Sequence, residues 1–192
     1  MGKGTGRRPG RGSGAKRPRR PKEKVRVFIS ARRLDTKVKA LGRAISRDYA
    51  GRTLTLVCVL KGAALFFADL VRAISVPVEL EFIGVTSYAG ATESSGEVRI
   101  STDVSRPLAG KDVLLVEDIV DTGLTAAFLV GLLQARNPKS LAVCSLLEKP
   151  SRARTRVEVA YSGFVIPDVF VVGYGLDIDE RWRNLPYLAV VR

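Results

Sequence analysis

Histidine is absent from this sequence of 192 residues, and cysteine is scarce. Without an imidazole, the chain cannot assemble a Ser-His or Cys-His catalytic pair. The two cysteines, Cys58 and Cys144, lie in separate apolar runs and lack the CxxC spacing of a zinc site. Their surroundings favour buried free thiols over a disulfide, although the sequence leaves both open. Zinc-dependent and histidine-assisted nucleophilic enzymes are therefore excluded.

Long hydrophobic segments are also missing. No apolar run reaches the roughly 18 residues that a membrane-spanning helix needs. The N-terminus lacks the hydrophobic stretch of a secretory signal, which favours a cytoplasmic location. An apolar content of 46% over this length is typical of one globular domain.

The positive charge is concentrated at one end of the chain. The net charge is +13, and residues 1–24 contain ten Lys or Arg against a single Glu. This segment is rich in Gly and Pro and has almost no apolar side chains, so we expect a disordered tail followed by one domain over residues 25–192. The tail either binds RNA or another polyanion in a salt-dependent way, or is solvated without such a role.

Beyond residue 25, short apolar runs alternate with patterns of helical periodicity. Helices are predicted over residues 31–49, with Gly51 closing the first as a C′ glycine, from about residue 63, and over 125–136. Strands are predicted over residues 25–29, 53–60, 78–88, 98–101, 112–118, 140–149 and within 164–175. This alternation indicates an α/β fold with a central, mostly parallel sheet flanked by helices, in which ligands bind at the carboxyl ends of the strands.

The segment VLLVEDIVDTGLT, residues 113–125, ends a predicted buried strand with three acids: Glu117, Asp118 and Asp121. Carboxylates accept hydrogen bonds from vicinal hydroxyls and are ligands for Mg²⁺. Three of them so close together repel one another unless a ligand supplies hydroxyls or a cation. Asp121 is left free to take or give a proton.

The loop that follows these acids has the features of a phosphate site. Thr122 and Thr125 supply hydroxyls, Gly123 allows close approach, and a helix is predicted to start at Thr125 as its cap. Backbone N–H groups and the positive end of the helix dipole favour an anion there. A sugar phosphate satisfies both the acids and this cradle.

Other phosphate-binding patterns do not fit. The chain has no GxxxxGK[ST] motif, and its GKGTGRRPG stretch lies in the tail without a preceding strand. A receiver-type phospho-acceptor pocket gathers its acids from separate strands, which makes that interpretation weaker.

Residues 113–125 resemble the phosphoribosyl pyrophosphate motif of the type I phosphoribosyltransferases. Four more segments resemble, in order and spacing, the hypoxanthine(-guanine) branch of that family: LKGAALFFADLVR, TSYAGATESSGEVRIS, SLLEKPSRAR and IPDVFVVGYGLDIDERWRNLPYLAVV. The resemblance covers residues 25–191. It implies the type I phosphoribosyltransferase fold, with a small hood built from the chain ends and a mobile hairpin loop.

The resemblance assigns roles in binding phosphoribosyl pyrophosphate. Glu117 and Asp118 would hold the ribose hydroxyls and Mg²⁺, and Asp121 would lie near N7 of the purine as general base or acid. The remaining members of this set would contact the phosphates: Lys61, Gly62, Thr122, Gly123, Leu124, Thr125 and Arg183. A non-proline cis peptide is implied between Leu60 and Lys61. Leu124 stands where some members carry lysine, which removes a charge contact but keeps the backbone cradle.

Further roles follow from the same resemblance. Ser87 and Tyr88 would lie on a loop that closes over the reacting atoms. Lys149 would donate to the purine 6-oxo group, Phe170 would stack on the base, and Val171 would contact its edge. Asp177 would lie at the same purine site and bind a second Mg²⁺. Either Arg152 or Arg154 could serve the site, and the sequence leaves this choice open.

The activity implied is purine salvage: transfer of the phosphoribosyl group from phosphoribosyl pyrophosphate to hypoxanthine, and also guanine, by a Mg²⁺-dependent homodimer or homotetramer. The preference among hypoxanthine, guanine and xanthine is left open. The alternative is an RNA-binding regulator on the same fold with residual uracil phosphoribosyltransferase activity, as some pyrimidine-operon attenuators are. The basic tail encourages this alternative, whereas Lys149 and the segment 170–177 fit a purine site better.

Overall fold

The computed structural model describes Met1 and residues 25–87 and 98–191, except for the side chains of Ser87 and Val98. The expected tail, apart from Met1, and Tyr88 of the expected loop lie outside these residues. The strands are β1 (Val25–Ile29), β2 (Leu54–Leu60), β3 (Val78–Ser87), β4 (Val98–Thr102), β5 (Asp112–Val120), β6 (Ser140–Glu148), β7 (Tyr161–Val165), β8 (Val171–Val172) and β9 (Leu188–Val191). The helices are α1 (Ala31–Asp48), α2 (Ala64–Ala73) and α3 (Leu124–Gln134), and a 3₁₀ turn covers Pro150–Arg152.

The main sheet has six strands in the order β4-β3-β2-β5-β6-β7. All neighbours are parallel except β4, which pairs antiparallel with β3 as the predicted hairpin. The register places Cys58 of β2 and Cys144 of β6 on either side of Val116 in β5. The expected central, mostly parallel sheet is confirmed.

Helices cover the sheet on both faces. Leu114 and Val116 of β5 belong to a core with residues of α1 and α2, whereas Val113 and Leu115 join a second core with residues of α3. Burial on both faces explains why β2 and β5 read as continuous apolar runs rather than alternating ones. Cys58 and Cys144 are free and buried in the first core.

A second, smaller sheet joins the two ends of the domain. Its order is β1-β9-β8, with both pairs antiparallel, and Val25 lies opposite Val191. The expected hood from the chain ends is therefore present. β9 is short, and its strand character depends on β1 and β8, from which it is far in the sequence.

The end of α1 differs from the expectation. The helix starts after Ser30, whose hydroxyl accepts a hydrogen bond from the Arg33 amide, and it ends at Asp48 with Tyr49 as the C-cap. Gly51, with φ +74°, lies two residues beyond that cap rather than at C′. The prediction of its position was wrong because a further turn residue, Ala50, separates it from the helix. Of the three described helices, none combines the length and apolarity needed to cross a membrane.

Candidate active site

The carboxyl ends of β2 and β5 and the start of α3 enclose a cavity of about 280 Å³. The parallel pairing of these strands brings distant segments to one edge of the sheet. Seven of the predicted site residues line this cavity: Gly62, Glu117, Asp118, Asp121, Thr122, Gly123 and Thr125.

The loop between β5 and α3 presents the helix N-terminus to this cavity. Gly123 is the N-cap of α3 and has a positive φ of +81°. Thr125 lies in the first turn, so its prediction as the cap was wrong. The Leu124 amide donates to the Thr122 hydroxyl at 3.5 Å. The first N–H groups of a helix have no intrahelical acceptor and carry a partial positive charge. In α3 these groups lie beside the cavity.

The residues around Gly123 leave no room for a side chain at this position. A Cβ at this position would collide with the Thr155 carbonyl oxygen. The Thr122 carbonyl accepts hydrogen bonds from the amides of Arg154 (2.9 Å) and Thr155 (3.1 Å). The segment after the 3₁₀ turn therefore braces the loop against which a phosphate would bind.

Glu117 and Asp118 lie at the floor of the cavity. Burial raises the pKa of Glu117 well above its ordinary value, and the neighbouring Asp118 adds to this shift. Burial also raises the pKa of Asp118, to about 6, while the Ile119 amide and Arg183 oppose the rise. A cation or hydroxyl donors at this site would offset the cost of holding two charged carboxylates there.

The donor set here fits Mg²⁺. This ion keeps several waters and is bound in proteins by one or two carboxylates together with substrate phosphates. Glu117 and Asp118 supply two carboxylates beside the helix N-terminus that would hold a phosphate. Within the described ranges, no three acidic side chains converge as a complete metal cage. A shared site between protein and substrate is the arrangement that these residues allow.

Asp121 belongs to a network of four charged side chains. Its Oδ1 lies 2.8 Å from Nε of Arg152, and its Oδ2 lies 3.8 Å from Nζ of Lys149. Both cations also contact Asp168: Lys149 Nζ at 3.7 Å and Arg152 Nη1 at 3.2 Å. The side chain of Lys149 is only 7% exposed. The structure therefore joins the candidate proton-transfer group directly to the candidate purine-recognition lysine.

A second group of charged side chains includes Arg183, Asp177, Lys61 and Glu180. Nη2 of Arg183 lies 2.9 Å from Asp177 Oδ1, and Nη1 donates to the Gly175 carbonyl at 2.8 Å. Lys61 Nζ pairs with Glu180 at 3.1 Å, and Glu180 also pairs with Arg183 at 3.3 Å. The predicted pyrophosphate residues Lys61 and Arg183 are thus brought together through one carboxylate.

The turn after β2 lies close to Asp118 and to Gly175. The peptide bond between Leu60 and Lys61 is cis, as the resemblance implied. A Cβ on Gly62 would collide with the Asp118 carboxylate, and a Cβ on Gly175 would collide with the Gly62 carbonyl oxygen. Three segments far apart in the sequence therefore lie in close contact.

The predicted residues Phe170, Val171 and Ser87 are not among the residues that line the cavity. Phe170 precedes β8 and is 56% exposed, and Val171 begins β8 and is buried. Asp168, two residues before Phe170, contacts Lys149 and so places this segment beside it. Ser87 is the last residue of β3, and Tyr88 lies outside the described residues.

Sequence reasoning did not assign roles to Asp168 and Glu180, although both contact predicted site residues. Asp168 lies in the quoted IPDVF segment, which was the available signal. Between the two candidate arginines, the Arg152 side chain contacts Asp121, whereas Arg154 reaches the phosphate loop through its backbone amide.

Comparison with known proteins agrees with this geometry. A model of the phosphoribosyl transferase domain matches residues 30–179. The hypoxanthine-guanine phosphoribosyltransferase of Mycobacterium tuberculosis is 50% identical, over 86% of this chain and 85% of its own. The Bacillus subtilis protein of the same name is 44% identical, over 87% and 93%.

Among solved structures, a hypoxanthine-guanine phosphoribosyltransferase from Bacillus anthracis superposes with a TM-score of 0.84 at 42% identity, covering 88% of this chain and all of that one. The shared sequence and the shared fold agree with one another. The chain is therefore a transferase that belongs to the phosphoribosyltransferase family, within its hypoxanthine-guanine branch.

Proposed function

We propose that this enzyme transfers the 5-phosphoribosyl group from phosphoribosyl pyrophosphate to N9 of hypoxanthine, and also of guanine, giving IMP or GMP and pyrophosphate. One observation carries the proposal: the phosphate loop at α3 and the Asp121–Lys149 pair open onto the same edge of the sheet. The names of the relatives support the same substrates.

The 5-phosphate would bind in the loop Thr122–Thr125, where Thr122 and Thr125 offer hydroxyls and the start of α3 offers free N–H groups. Glu117 and Asp118 would accept hydrogen bonds from the ribose hydroxyls. The same two carboxylates would hold Mg²⁺, whose positive charge favours binding of the negatively charged pyrophosphate. Asp177 would bind a second Mg²⁺, and its Oδ1 pairs with Arg183 at 2.9 Å.

The purine would lie between Lys149, Phe170 and the start of β8. Lys149 would donate to the 6-oxo group, which selects 6-oxopurines over adenine. Phe170 is exposed enough to stack on the ring, and the Val171 backbone would contact its edge. Asp121 would take the proton that the purine loses as the new N9–C1 bond forms.

The leaving pyrophosphate would be stabilised by Lys61 and Arg183, both of which now pair with Glu180. As the bond from C1 to pyrophosphate breaks, positive charge develops on the sugar and negative charge on the leaving group. Ser87 and Tyr88 would close over this centre and exclude water.

The deciding experiment measures IMP formation from hypoxanthine and phosphoribosyl pyrophosphate in the presence of Mg²⁺. Turnover of hypoxanthine and guanine, with none of uracil or adenine, is the expected result. No IMP together with tight, sequence-specific RNA binding would overturn the proposal in favour of the RNA-binding regulator. The relatives described above are named as phosphoribosyltransferases, which favours the enzyme.

We further propose that two or more copies of the chain associate. Leu80 and Phe82 of β3 are the register partners of Leu56 and Cys58 in β2, and so lie on the sheet face that α1 and α2 cover. Each of the two side chains is nevertheless about two-fifths exposed. Leu65 of α2 is equally exposed. A second copy could cover this patch.

The buried free thiols support a reducing, cytoplasmic location.

A further inference from the structure

Asp168 lies between β7 and β8 and contacts two cations of the site. Its Oδ1 is 3.7 Å from Nζ of Lys149, and its Oδ2 is 3.2 Å from Nη1 of Arg152, which donates a hydrogen bond to it. Its own side chain is 53% exposed. An exposed ion pair of this kind ordinarily contributes little to stability. Because its partners are Lys149 and Arg152, Asp168 has a role in the candidate site to be considered instead.

Asp121 contacts the same two cations from the cavity side. Its oxygens lie 2.8 Å from Arg152 Nε and 3.8 Å from Lys149 Nζ. Two carboxylates thus share two cations, and the four charges balance. The members come from the loop after β5, the residue that follows β6, the 3₁₀ turn and the segment before β8. These elements are adjacent only because β5, β6 and β7 are neighbours in the sheet.

The two carboxylates differ in what happens to them during the reaction. Under the proposed function, the purine N–H proton passes to Asp121 while the N9–C1 bond forms, and the pyrophosphate leaves with the electron pair of its bond to C1. Asp121 is then neutral and no longer a counter-charge for Lys149. A buried ammonium without a counter-charge is costly, and this one is only 7% exposed.

The binding of the purine also disturbs Arg152. Its Nε lies against Asp121 Oδ1, the carboxylate that the purine N–H must reach. An incoming base therefore competes with this arginine for Asp121. The hydrogen bond from Arg152 Nη1 to Asp168 does not involve Asp121. It can therefore hold the guanidinium in place when the contact between Nε and Asp121 is broken.

We propose that Asp168 is a positioning residue for purine recognition: it holds Lys149 and Arg152 in place while Asp121 binds the base and takes its proton. This inference depends on the proposed function, since it assumes that Asp121 and Lys149 contact the purine. Asp168 itself touches neither substrate in this account. It acts through the lysine and the arginine.

The test is Asp168→Asn, which keeps the volume and removes the charge. We expect the KM for hypoxanthine to rise about five- to tenfold, because Lys149 loses the partner that stays charged, while the KM for phosphoribosyl pyrophosphate changes less than about twofold. Asp168→Glu, which restores the charge, should recover part of the loss. The matched control is Asp103→Asn: Asp103 is similarly exposed and pairs with Arg136 at 2.8 Å, outside the cavity.

A double-mutant cycle with Lys149→Met tests whether Asp168 acts through the lysine. We expect Asp168→Asn to have little further effect on the KM for hypoxanthine once Lys149 is gone. Full additivity in this cycle, equal losses for both substrates, or the same behaviour as Asp103→Asn would each overturn the inference. Failure of the proposed function is a separate result, because the unmodified protein would then form no IMP.

Discussion

The Cα of Gly62 lies against the carboxylate of Asp118, so closely that a Cβ on the glycine would overlap Asp118 Oδ2. Gly62 follows the cis peptide after β2, and Asp118 lies near the end of β5. The backbone of Gly62 therefore limits where the carboxylate of Asp118, a candidate ribose-binding group, can lie, and the Ile119 amide donates a hydrogen bond to the same carboxylate. A contact this close makes the site sensitive to the addition of a single methyl group.

Gly62→Ala should displace Asp118 and the turn beside it. We expect kcat/KM for phosphoribosyl pyrophosphate to fall about 100-fold, since a displacement of about 1 Å at a reacting centre can have that effect. Steady-state kinetics measure the change. Gly131→Ala is the control, because Gly131 lies in α3 with nothing within 4 Å of the added Cβ. Activity retained in Gly62→Ala would contradict the positioning role.

Asp121→Asn removes the proposed proton acceptor while keeping its size. We expect kcat to fall by about 100-fold or more, within the range of general acid–base effects. The fold should be unaffected, since Lys149 and Arg152 keep their contacts with Asp168. Single-turnover kinetics, with circular dichroism as the control for folding, measure both. Near-normal turnover would rule out the proton role.

Lys149→Met should weaken purine binding selectively. A hydrogen bond from a charged donor contributes about 1.5–3 kcal/mol, so the KM for hypoxanthine should rise by about 10- to 150-fold. The KM for phosphoribosyl pyrophosphate should change far less, because the phosphate cradle is built from the loop before α3. Equal losses for both substrates would argue against base recognition by this lysine.

Asp112, at the start of β5, should make stability depend on pH. The hydrogen bond from Ser140 Oγ (2.6 Å) lowers the pKa of this buried carboxyl, with Lys139 and Arg52 adding to the effect and burial opposing it. Because the folded-state pKa lies below the ordinary value of about 3.9, the stabilisation is present above that pH. It is lost as the pH falls towards the folded-state pKa.

Asp112→Asn should accordingly lower the free energy of unfolding at pH 7 by about 1.5–3 kcal/mol. Urea unfolding at pH 7 and pH 3 measures the difference between the proteins, which should shrink at the lower pH. Asp35→Asn is the control, since Asp35 forms an exposed ion pair with Lys39 on α1. An equal difference at both pH values would contradict the prediction.

Phe82→Ser tests the apolar patch on β3. We expect a smaller assembly in analytical ultracentrifugation, because an apolar ring that is 42% exposed would no longer be available to a second copy. Val165→Ser, at an apolar side chain on β7 with 68% exposure, is the control and should leave the assembly unchanged. An unchanged mass for Phe82→Ser would exclude this surface as the contact.

Removing residues 1–24 tests the tail. We expect kcat and both KM values to stay within about twofold, because the cavity is lined by residues from Val59 onwards and the predicted domain begins at residue 25. Any loss of binding to RNA should be strongest at low salt. A large drop in turnover would show that the tail contributes to the site.

Much of this architecture is encoded locally. Apolar runs such as residues 53–60 and 112–118 indicate strands covered on both faces, and the periodicity of residues 31–49 indicates α1. The loop Thr122–Thr125 is contiguous with β5 and α3, so the order of residues alone predicts that its glycine and threonines lie beside the acids at the end of β5. The boundary residues were less predictable: Gly123, not Thr125, caps α3, because its positive φ and the nearby Thr155 carbonyl depend on the loop path.

The charged contacts among the candidate site residues depended on the tertiary structure. Glu180 meets Lys61 although 119 positions separate them, and Asp168 meets Lys149 from beyond β7. Single acids in loops carry no periodic signal, because their partners are chosen by which strands are neighbours in the sheet. The amino-acid sequence thus determined the strands, the helices and the loop between β5 and α3 through local preference and burial. Strand order decided which carboxylate stands beside which cation, because electrostatic pairing depends on distance in space rather than along the chain.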